Sequence, residues 1–252
     1  WDSFILEIFR NFKLSKINII MDSFVKIEHK NHIAEIEFGT PKSNSLPGFI
    51  LEKLALTILE QGAKKEVKAI LLKSAGENAF CAGASFDELL EITDLETSEK
   101  FFGGFAKVLN AMRTCGKIVV VRVQGKTTGG GVGLACGADY CFATEESSLA
   151  LTEINLGIGP FVIGPFVERK IGKSQFTAMS LDTEFRDSNW AKENNIYHQV
   201  FENISEMDEE IEKFTEKLAT KSTDALDLIK KVSWEGTELF DKLMPKRILM
   251  SA

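Results

Sequence analysis

Side chains that usually carry chemistry are sparse in this sequence, and their spacing rules out most catalytic arrangements. His29, His32 and His198 are its only histidines. The first two stand three apart in strand-like sequence, where neighbouring side chains alternate sides. They make poor partners for a shared metal or a Ser-His-Asp triad and read as surface or turn residues. Cys81, Cys115, Cys136 and Cys141 form no C-x-x-C pair and have no adjacent histidine. They suggest neither a zinc site nor a disulfide framework, and read as buried free thiols in a reducing compartment. Gly125-Lys126-Thr127 and Gly172-Lys173-Ser174 echo a phosphate-cradling loop, but Val120 and Val167 stand where its upstream glycine is required. The run Gly129-Gly-Gly-Val-Gly133 fails the dinucleotide pattern in both registers, with Leu134 or Cys136 at the third glycine position.

What remains places backbone amides, not reactive side chains, where chemistry can use them. Ala79-Phe-Cys-Ala-Gly-Ala-Ser-Phe-Asp87 is a cluster of small residues directly after an apolar strand pattern. Gly129-Gly130-Gly131 stands at the start of a helical pattern. Glycines there let a substrate approach the main chain closely. A helix N-terminus adds unsatisfied N–H groups and the positive end of a dipole. Two such N–H groups converging on one point make an oxyanion hole, which stabilises negative charge on a carbonyl oxygen.

The elements that must position these segments follow from hydrophobic period. Residues 24–28 and 32–38 alternate apolar and polar, as half-buried strands do. Pro47 opens a helical pattern from a tolerated first-turn position. Residues 67–73 and 118–123 are continuous apolar runs suited to strands covered on both faces. A helix is expected from about 97 to 112, with Phe101, Phe102 and Phe105 read as core, and short strands at 140–143 and 148–151. From Phe161 onward the pattern is helical apart from 196–201. Strands alternating with helices predict an α/β fold.

The chain's 252 residues carry 30 Lys+Arg against 37 Asp+Glu, a formal net charge of −7. That balance suits a globular protein and argues against nucleic acid as a partner, which needs a clustered basic face. No apolar run reaches the roughly 18–20 residues that span a bilayer, so a membrane is not an expected partner either. Residues 1–20 read as upstream sequence before a start at Met21, residues 21–203 as a catalytic core, and 204–252 as a helical C-terminal region with an incomplete end.

Phe80-Cys-Ala-Gly-Ala84, Gln124-Gly125 with Gly129-Gly-Gly131, and Thr152-Glu-Ile-Asn-Leu-Gly157 together resemble the enoyl-CoA hydratase/isomerase, or crotonase, family. Asn44-Ser-Leu46, Glu168-Arg-Lys-Ile-Gly172 and Ala191-Lys-Glu193 add to the resemblance, which runs from about Phe24 to Trp234. It implies a spiral of β-β-α units with a helical C-terminal region, assembled as a homotrimer or a dimer of trimers in the cytoplasm. It implies an acyl-CoA thioester substrate, with coenzyme A carried by that substrate and no further cofactor or metal. The thioester oxygen would accept from the N–H groups of Ala84 and Gly130. Ala82, Gly83, Ser85, Phe86, Asp87 and Gly131 would bind the substrate around them. The acyl end of the pocket would be built from segments such as 88–102, and Lys42 reads as a solvated lysine.

In the hydratases of the family two glutamates flank the acyl chain, and here Glu153 matches only the second. Gly133 stands 20 residues upstream, where the first would be. Adding water across a 2-enoyl thioester is comfortably served by two carboxylates, whereas moving a double bond needs one acid/base that takes an α-proton and returns it at the γ-carbon. The resemblance therefore implies enoyl-CoA isomerase chemistry with Glu153, partly desolvated, as the catalytic group. The alternatives are a hydratase, for example on a methylglutaconyl thioester with Asp87, Glu88 or Glu168 as second carboxylate, and a non-catalytic acyl-CoA-binding homologue.

Overall fold

The computed structural model describes residues 22–251, so the expectations for residues 1–20 lie outside the described residues. Strands β1 (Phe24–Lys30) and β2 (Ile33–Gly39) form an antiparallel hairpin, with Ile27 opposite Ile36. The chain then passes through helix α1 (Gly48–Gly62), strands β3 (Ala69–Ser74) and β4 (Ala79–Cys81), and helices α2 (Phe86–Leu89) and α3 (Leu95–Thr114). Strands β5 (Ile118–Val123) and β6 (Lys126–Thr128), helix α4 (Gly130–Gly137), and strands β7 (Tyr140–Thr144) and β8 (Ser148–Ala150) follow. A 3-10 turn at Glu153–Leu156 leads into α5 (Gly164–Asp182), β9 (Arg186–Asp187), α6 (Ser188–Glu193) and β10 (Gln199–Phe201). The chain continues through α7 (Ile204–Ala219), α8 (Thr223–Ser233) and α9 (Phe240–Ser251).

The strands sort into two sheets with a simple rule. β3, β5 and β7 each enter a six-stranded sheet of order β1-β2-β3-β5-β7-β10, parallel from β2 onward. The strand that follows each of them, β4, β6 or β8, enters a four-stranded sheet of order β4-β6-β8-β9. Repeated β-β-α units thus wind both sheets at once, the spiral the sequence implies. The three-residue strands of the smaller sheet carry too little pattern to be read in advance, except β8.

Period-2 alternation explains why the larger sheet is buried on both faces. Ile70, Leu72, Val119, Val121 and Val123 join one core cluster, while Ala69, Leu71, Ile118 and Val120 join another with Met207, Ile211 and Leu226 from α7 and α8. The C-terminal helices therefore cover the outer face of the sheet. Pro47 is not a first-turn residue. It caps α1 in extended backbone, at φ −72° and ψ 157°. α3 begins with a capping box in which Asp94 accepts from the Thr97 N–H at 2.8 Å. Near its other end Arg113 is moored to Asp241 and to the Thr237 carbonyl.

All four cysteines are free and buried. Burial pushes the Cys81 and Cys136 thiols up to about 12. His29 and His32 are exposed, as read from the sequence, with His32 in the hairpin turn at φ 68°. His198 is structural. Its ring stacks on Tyr140 at 4.4 Å, its Nδ1 accepts from the Cys141 N–H at 3.0 Å, and burial lowers its pKa to about 4.

Candidate active site

The loop before α1 holds the strand-like segment 82–85 through four of its backbone groups. Ala82 N–H donates to the Ser43 carbonyl at 3.2 Å, Leu46 N–H to the Gly83 carbonyl at 2.8 Å, and Ser85 N–H to the Leu46 carbonyl at 3.1 Å. Ser45 Oγ donates to the Ala84 carbonyl at 3.0 Å. Asn44 fixes that loop in turn, donating to the carbonyls of Ala75 at 2.8 Å and Ala79 at 2.9 Å. Ala84 N–H is left without a partner among the described residues.

α4 supplies a second group of the same kind. Gly129 caps it at φ 52°, a conformation that favours glycine. Its own N–H is taken by the Ala150 carbonyl at 3.1 Å, but the first helical N–H, that of Gly130, has no carbonyl behind it. The two segments touch: a Cβ on Gly83, itself at φ 85°, would stand 3.4 Å from the Gly130 nitrogen. A Cβ on Gly130 would collide with the Phe105 ring at 2.3 Å, so only glycine lets α4 start so close to α3.

Glu153 faces this pair from the 3-10 turn after β8. A Cβ on Gly129 would lie 3.1 Å from Glu153 Oε1, which brings the carboxylate against the start of α4. Its Oε2 is closed off from solvent and has no hydrogen-bond partner. Burial raises its pKa from 4.5 to about 7, only partly opposed by the backbone N–H groups of Glu153 and Thr152. The desolvation expected of a proton-transferring carboxylate is therefore present.

These groups line a cleft of about 120 Å³. Of the residues picked out in the sequence, Ala82, Gly83, Ala84, Ser85, Phe86, Gly130 and Glu153 line it. Asp87 and Gly131 do not. Asp87 pairs with Lys42 at 2.5 Å, the Lys42 side chain being 53% exposed as expected of a solvated lysine, and Gly131 packs against Cys81. Phe105 belongs to the main core cluster, as read from the sequence, and Phe102 packs against it; together with Phe101 they also line the cleft. Val162 and Ile163 extend this apolar wall and were not singled out in the sequence. No local signal marks them, since their role arises only when the chain folds back over α4.

Glu153 is the only titratable side chain among the described residues lining this cleft. The other carboxylates considered for catalysis are engaged elsewhere: Glu88 accepts from the Gly48 N–H at 2.8 Å, and Glu168 stands 3.7 Å from Arg247. A larger cavity, of about 540 Å³, lies against the outer sheet and α7. Most of its charges are paired, with Lys73 and Glu35 at 2.7 Å, Arg122 and Asp208 at 2.5 Å, and Lys30 beside Glu212. Among the described residues no three His, Cys, Asp or Glu side chains gather as metal ligands, and no helix is long and apolar enough to cross a membrane.

A cleft built on two unpartnered amides and one desolvated carboxylate is suited to acyl-group chemistry through an enolate, and the comparisons agree in class. Residues 28–244 match the family described as enoyl-CoA hydratase/isomerase, and the chain belongs to that family. A short-chain-enoyl-CoA hydratase of Clostridium acetobutylicum is 31% identical over 137 residues, covering 54% of this chain and 52% of that protein. A trans-2-decenoyl-[acyl-carrier-protein] isomerase of Streptococcus mutans is 24% identical over 216 residues, 82% of this chain and 80% of its own. The chain spans 28%, 65% and 54% of the length of three other curated relatives. The fold superposes on an enoyl-CoA hydratase from Bacillus halodurans with a TM-score of 0.85 at 19% identity, over 91% of this chain and 94% of that one.

Proposed function

We propose that the chain isomerises enoyl-CoA thioesters, moving a double bond from the 3- to the 2-position. The thioester oxygen accepts from the N–H groups of Ala84 and Gly130. Glu153 removes a proton from the α-carbon; the electrons of that C–H bond pass into the thioester, giving a dienolate. The same carboxylic acid then delivers the proton to the γ-carbon, and the double bond settles next to the carbonyl. Each amide donor is worth roughly 2.7–4 kcal/mol in such a transition state. No metal or redox group takes part in this scheme, because the proton and electrons are conserved within the substrate. An assembly as a homotrimer or a pair of trimers, and a cytoplasmic location, belong to the same reading.

The observation that carries the proposal is the solitary carboxylate: among the described residues Glu153 alone of the titratable side chains lines the cleft, with Oε2 unpartnered. The hydratase reading draws support from the Clostridium acetobutylicum relative. It requires a second group to hold water, and Asp87, Glu88 and Glu168 have other partners. The test is turnover of 3-enoyl-CoA and 2-enoyl-CoA by the protein and by Glu153→Gln. Conversion of the 3-enoyl isomer that the variant loses supports isomerisation. Tight acyl-CoA binding without turnover of either isomer selects the non-catalytic homologue, and hydration as the only reaction selects the hydratase.

A further inference from the structure

Ile163 occupies an unusual position. It is 3% exposed, it lines the cleft that holds Glu153, and it fills the space in front of Gly133 on α4. A Cβ on Gly133 would meet Ile163 Cγ2 at 2.7 Å and Ile163 Cβ at 3.0 Å, with Leu109 Cδ1 at 3.3 Å behind them. The glycine and the isoleucine are therefore a fitted pair: any side chain at 133 needs Ile163 to move. With Val162 and Phe105, Ile163 makes a hydrocarbon wall without donor or acceptor.

We propose that Ile163 determines reaction specificity at this site, by denying an attacking water the polar partners it needs beside the acyl chain. This rests on the isomerase reading and adds the residue that enforces it. Water addition to a 2-enoyl thioester breaks one O–H bond and the π bond between the α- and β-carbons, and forms a C–O bond at the β-carbon and a C–H bond at the α-carbon. The water must first be held in line, and an ordered water in a protein typically makes about three hydrogen bonds. Among the described residues Glu153 is the only carboxylate lining this cleft, and it is committed to the proton at the α-carbon. That hydrocarbon lines the same cleft as Glu153, and no other titratable side chain among the described residues does. Ile163 is a positioning residue in this scheme. It touches the substrate's surroundings and acts through water and Glu153.

The experiment compares the intact protein with Ile163→Thr, which keeps the branched shape and adds a hydroxyl, and Ile163→Ala, which opens space. Isomerisation of 3-enoyl-CoA and hydration of 2-enoyl-CoA are measured across pH. The expected result is a rise of at least tenfold in the ratio of hydration to isomerisation in one or both variants. The midpoint of the pH–rate profile should also move from about 7 toward the ordinary carboxylate range. A packing role alone would lower both rates together and leave the ratio and the midpoint in place, and that outcome overturns the proposal. Should both variants misfold, Gly133→Ala and Gly133→Ser report on the same wall from the opposite side. A lowered melting temperature with an altered ratio supports the proposal, whereas an unaltered ratio overturns it. Wild-type protein that never isomerises 3-enoyl-CoA refutes the proposed function, a result distinct from an unchanged ratio in an active isomerase.

Discussion

Two carboxylates on either side of α4 have opposite surroundings. Asp139, between α4 and β7, accepts from the Val119 N–H at 2.7 Å, from Lys230 Nζ at 2.6 Å and from the Trp234 indole N–H at 2.6 Å. Glu153 Oε2 is also closed off from solvent, yet it has no partner at all. A saturated carboxylate cannot take a proton without breaking what holds it, so Asp139 binds the C-terminal segment to the sheet. An unsatisfied one gains by taking a proton, so Glu153 is ready to exchange one. The difference lies in the donors that the fold brings to each group and owes little to residue type.

Substitution should separate these two roles cleanly. The largest effect expected is on turnover: Glu153→Gln lowers kcat by about 10²–10⁴-fold, typical for loss of a positioned acid/base, while acyl-CoA binding, measured by calorimetry, persists. Asp139→Ala acts on stability instead. It leaves the Lys230 ammonium, whose side chain is 3% exposed, without its counter-charge. The expected loss is about 3–5 kcal/mol, as for other broken buried pairs, read by denaturant unfolding. A variant of Asp139 that melts normally but loses catalysis would erase the contrast.

pH sharpens the comparison further. Turnover that needs ionised Glu153 should fall about tenfold per unit below its pKa of about 7, as seen in a pH–rate profile. Stability runs the other way. With the folded pKa raised above the unfolded value of 4.5, the protonated group's contribution is complete below pH 4.5 and is lost as pH rises through about 7. Removing the charge should therefore make Glu153→Gln melt higher than the wild type at pH 8, by an amount set by roughly 1.4 kcal/mol per pKa unit. The smallest effect belongs to the Lys42–Asp87 pair, whose side chains are 53% and 32% exposed. Lys42→Ala should cost at most about 0.5 kcal/mol and should weaken with added salt, since exposed pairs are screened.

The strands and helices that the sequence announces are those whose apolar pattern, alternating or continuous, is long enough to count. β2, β3, β5 and α3 each repeat their pattern over six or more residues, whereas β4 and β6 have three residues each and exist because neighbouring strands align them. The amide-bearing segments were legible because Gly83 and Gly129 need positive φ, which few other residues tolerate. Phe105 and Ile163 were not. Their importance depends on which glycine they fill, Gly130 and Gly133 respectively, and those contacts cross 25 and 30 positions of chain (130 − 105 and 163 − 133). Asp139 gave no sign either, because its donors come from β5 and from the C-terminal end of α8, about 90 positions further along the chain.

α3 links the two ends of this design. Its 20 residues form a rod of about 30 Å, with the aromatic wall of the cleft on one stretch and the mooring of Arg113 to the tail on the other. Because the rod is pinned beyond the wall, the turn at residues 90–94 does not decide where the Phe105 ring stands. That turn, which follows the cleft-lining Leu89, is accordingly the place where an inserted loop would leave the Phe105 ring where it stands.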